Sequence, residues 1–114
     1  MTPDFGTLVA RQLDAVEGQL RDFVATAEHA YAVAAAQVYG SQTGDALRLA
    51  LKQGSVALEG KEAGNRALAV LQRCRRLMQR GQPQKMQCAL DELTVVMAEI
   101  GSISLATAPP AGTA

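Results

Sequence analysis

The chain has 114 residues, with 11 Lys+Arg balancing 11 Asp+Glu, one His, two Cys and no Trp, and 48% of it is hydrophobic. That composition is too apolar and too weakly charged for a disordered protein, and zero net charge argues against a general polyanion binder. Two cysteines make no disulfide framework and point to a reduced compartment, while the most apolar run, Ala30 to Ala36, is far short of the roughly 20 residues that span a bilayer. The opening Met1-Thr2-Pro3-Asp4-Phe5 has neither a basic n-region nor an apolar h-region, so no secretory signal is expected. The expectation is one cytoplasmic helical domain over residues 1–105, followed by a disordered tail over 106–114 that holds Pro109, Pro110 and Gly112.

The first predicted helix starts at Thr2 as cap, with Pro3 in the first turn and Asp4 at the positive end of the helix dipole. Its apolar residues then step by four and three: Val9, Leu13, Val16, Leu20, Phe23, Ala27, Ala30, Ala34. Tyr39 to Gly44 reads as a C-cap glycine at Gly40, a short turn and a new cap at Thr43. The second segment runs from Asp45 to Arg80. Glu59 to Asn65 has the composition of a loop, yet one stripe passes through it unbroken: Ala46, Ala50, Gln53, Ala57, Gly60, Gly64, Ala67, Leu71, Cys74, Met78. The spacing favours one long helix, with a break near Gly60–Asn65 as the alternative.

Folding the first helix back about the Tyr39–Gly44 turn brings Phe23 opposite Gly60, Leu20 opposite Gly64, and Ala34 opposite Ala50. Large residues then face small ones where the glycines sit, as close packing requires. Gly81-Gln82-Pro83 ends the second helix, and the third carries Met86, Leu90, Leu93, Met97, Ile100 and Ile103. Net charge by segment is −3 over residues 1–44, +6 over 45–85 and −3 over 86–114, so the middle helix should pair with both neighbours. The fold expected is all-α: an antiparallel up-down bundle of three helices, a long hairpin plus a shorter third helix, or four helices if the second breaks.

The lengths do not match. At about 1.5 Å per residue the first two helices reach roughly 50 Å and the third about 30 Å. The third leaves residues 24–60 as a bare hairpin whose second faces are apolar: Val24, Tyr31 and Val38 on one helix, Leu47, Leu51 and Leu58 on the other. Exposed apolar patches of a few hundred Å² mark interaction sites. These six residues are therefore the expected interface for a second copy or a helical partner.

Catalytic signals are absent by comparison. His29 lies off the core positions, with no second ligand at Glu-x-x-His or His-x-x-x-His spacing. Cys74 falls in the core stripe and Cys88 on a different face, out of register for a disulfide. Arg66, Arg73, Arg76 and Arg80 make a basic stripe that could hold phosphates, but no aromatic residue follows Gly40 to stack on bases. A solvated face paired with the acidic helices is the plainer reading. The expectation is a non-enzymatic interaction module, a homodimer, adaptor or assembly factor, needing no metal or cofactor. The alternatives are an accessory protein that binds nucleic acid or another anionic partner through the Arg66–Arg80 stripe, and a protein that coats an apolar surface. Eight arginines to three lysines, in an alanine-rich chain, hint at a GC-rich bacterial genome.

Overall fold

In the computed structural model, which describes residues 5–103 and 105, three helices follow one another: α1 (Phe5–Gly40), α2 (Gly44–Gln79) and α3 (Pro83–Ser102). The second helix is continuous through Glu59–Asn65, so the bundle has three helices and not four. Loop-forming residues lose to the stripe there because Gly60, Ala63, Gly64 and Ala67 are all buried against neighbouring helices. The helix start expected at Thr2–Asp4 and the tail over 106–114 lie outside the described residues.

Local chemistry sets both turns. Thr43 caps α2, its hydroxyl accepting the Ala46 N–H at 3.1 Å, with Asp45 in the first turn. Gly81 has φ 66°, and its N–H donates to the Met78 carbonyl while the Gln82 N–H donates to that of Leu77. These two bonds satisfy carbonyls at the end of α2 and turn the chain into α3, a conformation glycine adopts without steric cost. Gly40 was expected to play the same part at the end of α1, but Gly81 is the one described glycine with positive φ. At the end of α1 the Ser41 hydroxyl instead donates to the Gln37 carbonyl at 2.6 Å.

The molecule is a slab of 61 × 28 × 18 Å with a radius of gyration of 18.2 Å. A compact domain of this length would have about 13 Å. Both α1 and α3 lie along α2, and no described Cα of α1 comes within 8 Å of one on α3. The core sits at the end where all three helices overlap, built from Leu13, Leu20, Ala67, Val70, Leu71, Cys74, Ala89, Leu93 and Val96. Towards the α1–α2 turn, which we call the tip, the seam narrows to alanines: Ala27, Ala30, Ala34, Ala50 and Ala57 are buried.

Two details of packing differ from expectation. A β-carbon on Gly64 would meet Val24 and Phe23 first, whereas Leu20 was expected there, and one on Gly54 would meet Ala34 at 3.5 Å. The two long helices are thus offset by about one turn from a symmetric fold-back, although Phe23 does reach Gly60. On α3 the buried residues are Ala89, Leu93 and Val96, with Met86, Leu90, Met97 and Ile100 half-buried around them. Ala89 shares the core cluster with Val70 and Cys74, so α3 turns this small residue inward in place of the Leu90–Met97 face.

Charges pair across both seams. Arg75 donates to Asp14 at 2.7 Å and lies 3.3 Å from Glu17, which also accepts from Gln72 at 2.8 Å. Lys61 faces Glu28 at 3.7 Å, Arg66 donates to Glu99 at 3.3 Å, and Arg73 donates to Glu92. Bonds from Arg21 and then Gln72 hold the Glu17 carboxyl below its ordinary range, and the Asp14 bond raises Arg75. Exposed pairs contribute tenths of a kcal/mol, so they select register more than they stabilise.

The glycines give a first expected result. Nothing lies within 4 Å of a β-carbon on Gly18, so Gly18→Ala should stabilise the fold by about 0.5–1 kcal/mol through helix propensity. A β-carbon on Gly64 would come 2.5 Å from Val24 Cγ2. Valine is stiff about χ1 and cannot swing clear, so Gly64→Ala should destabilise by roughly 1–2 kcal/mol despite the same propensity gain. Urea midpoints of the two variants should move in opposite directions.

Candidate interaction surface

Heptad lines along α2 separate two sides of the slab. Arg66 and Arg73, seven apart, reach Glu99 and Glu92 on α3. Leu51, Leu58, Asn65 and Gln72, also seven apart, run about 100° further round the helix. Gln72 bonds to Glu17 of α1, whose own line continues through Val24, Tyr31 and Val38. The chain after α3 stays on the first side: a β-carbon on Gly60 would meet Leu105 at 3.1 Å, Phe23 at 3.4 Å and Ile103 at 3.6 Å. The apolar line at the tip therefore opens on the side away from α3. Sequence reasoning traced the bare hairpin to the shortness of the third helix, and in the structure its apolar line also faces away from α3.

On this second side, polarity changes with distance from the tip. Glu17, Gln72 and Arg75 bridge the helices over the core, and Lys61 and Glu28 do so further along. Beyond Lys61 the same lines carry Leu58, Tyr31, Leu51 and Val38. A groove of about 390 Å³ opens there between α1 and α2, lined by Tyr31, Ala35, Val38, Leu51, Gly54 and Leu58, among others. Tyr31 is 49% exposed, Leu51 55% and Leu58 45%, against 0% for Leu71 in the core, so these are surface side chains. Of the other expected interface residues, Leu47 is exposed, Val38 is half-buried on the groove wall, and Val24 is half-buried against Gly64.

Ala35, Gly54 and Ser55 were missed by sequence reasoning although they line the groove. They are small and lie one or two positions off the two stripes, where no periodicity marks them. Tyr39, at 93% exposure, stands at the groove's outer end. Its place one residue before Gly40 was legible, but not its direction.

The remaining candidates are dispersed. Arg66 and Arg73 are engaged by α3, while Arg76 and Arg80 are exposed and carry no ion pair among the described residues. His29 is exposed, and among the described residues no cluster of His, Cys, Asp or Glu is grouped to hold a metal ion. No described helix is long and apolar enough to cross a membrane. Comparisons with protein-family models, curated proteins and solved structures found no match to this chain.

Both cysteines are free, Cys74 buried and Cys88 exposed. Burial pushes the Cys74 thiol up, which keeps it neutral and unreactive at pH 8. A thiol reagent should therefore label Cys88 at once and Cys74 only as the bundle unfolds, a second expected result readable by mass spectrometry. Rapid double labelling of the native protein would contradict the packing of α1, α2 and α3 around Cys74.

Proposed function

We propose that this protein works without catalysis, as an interaction module that receives a protein surface on the apolar tip face of its α1–α2 hairpin. The observation that carries the reading is the groove walled by Tyr31, Val38, Leu51 and Leu58, open on a face that the chain's own third helix does not reach. Apolar side chains this exposed and this contiguous lower the free energy of whatever complex covers them. The chemistry around them favours binding over turnover, since the groove lining includes no acid, histidine or cysteine.

A homodimer, an adaptor and an assembly factor would all use such a face. Substituting Leu51 by glutamate tests the reading. The variant should keep its helix content and lose association, whereas loss of fold would make Leu51 part of the core and remove the basis for an interaction face.

A further inference from the structure

We infer that the occupant of the tip face is a second copy of this chain, with α2 packed antiparallel on its own counterpart about a two-fold axis at Ser55. The inference rests on the interaction reading above and adds the partner and the register. Its basis is the order of residues along one face of α2: Arg48, Leu51, Ser55, Leu58, Glu62, stepping by three, four, three and four. These steps keep all five on one side of a helix. Turned end for end about Ser55, the row is its own complement. Leu51 meets Leu58 of the other copy, Arg48 meets Glu62, and Ser55 meets itself.

Two-fold pairing demands this self-complementarity, and few rows of residues have it. The small central Ser55, beside Gly54, lets two backbones approach closely. Lys52 and Glu59, one position further round the helix, fall opposite each other in the same arrangement and add a second pair per side.

The state of these charges fits. All five side chains of Arg48, Lys52, Ser55, Glu59 and Glu62 are exposed. Lys52, Glu59 and Glu62 carry no ion pair among the described residues, and Arg48 has only an exposed contact with Asp45 at 3.5 Å. Elsewhere on α2, Lys61, Arg66, Arg73 and Arg75 are paired across seams, while Arg76 carries no ion pair among the described residues. The opposite stacking, with both tips at one end, would set α2 beside α1 of the other copy and forgo the Arg48–Glu62 pairs, so charge favours the antiparallel form. The chain's own last nine residues are a poorer occupant. They follow Leu105, which lies over Gly60 on the α3 side, and consist of Ala, Thr, Pro and Gly, with little apolar surface to offer.

Disulfide trapping in a Cys88→Ser background tests both partner and register. Ser55→Cys should cross-link two chains under mild oxidation at least about tenfold faster than Val95→Cys, which puts another exposed thiol on α3. Arg48→Glu should slow trapping about tenfold, and adding Glu62→Arg should restore it. Trapping at Ser55 no faster than at Val95 overturns the second-copy assignment. Fast trapping without rescue by the charge swap overturns the register. Neither failure touches the interaction reading, which is decided by whether Leu51→Glu stays folded.

Discussion

Leu71→Ala should cost about 2–5 kcal/mol and lower the melting temperature on the order of 10–25 °C. Leu71 is fully buried in the cluster that joins α1, α2 and α3, with Leu13, Leu20 and Cys74 in the same core. Removing its isopropyl group loses the transfer free energy of three carbons and leaves a cavity. Three long helices held in a slab relax poorly into such a hole, because each is tied to its neighbour by seam contacts over its whole length. Total stability for a domain this size is about 5–15 kcal/mol, so one side chain accounts for a large part of it. Leu49→Ala removes the same atoms from a side chain 56% exposed at the tip, and should shift the melting temperature by only about 2 °C. Equal effects at the two positions would mean that the core is not where the structure places it.

Leu51→Glu should act in the opposite sense, sparing the fold and abolishing association. A leucine already 55% exposed gives up little on becoming glutamate, within about 0.5 kcal/mol of folding stability. In the two-fold complex the same change puts an unpaired carboxylate against Leu58 of the other copy in each of two symmetry-related desolvated contacts, where a buried charge without a partner costs several kcal/mol. Dissociation should strengthen by about 100-fold or more. Because a dimer is stabilised by mass action, melting of the variant and of the wild type should be compared at concentrations where both are monomeric.

Much of this architecture was written in the heptads. The α1 stripe from Leu13 to Ala34 and the α2 stripe from Ala50 to Cys74 are buried except at Val16, Phe23 and Gln53, which are half-buried, and the continuity of α2 through Gly60–Asn65 followed from a stripe that never faltered. Other features were not legible. The one-turn offset of the hairpin depends on how Phe23 and Val24 seat against Gly64, a matter of side-chain shape that periodicity does not encode. The side on which α3 docks was carried by a second line on α2, Ala63, Val70 and Leu77, seven apart, but two of these are modest in size and the basic residues between them masked the line. Missing it hid the fact that the apolar tip faces away from α3. The leucines and tyrosine of the interaction face were readable at seven-residue spacing, while the groove lined by Ala35, Gly54 and Ser55 was not, because small residues show their use only once a neighbour is in place.

Absolute mass by light scattering, over about a hundredfold range of concentration, tests the central claim most directly. The wild-type chain should rise from 12.0 kDa towards twice that value, while Leu51→Glu stays at the monomer mass with full helix content. A wild-type mass fixed at that of one chain throughout would contradict pairing through the tip face.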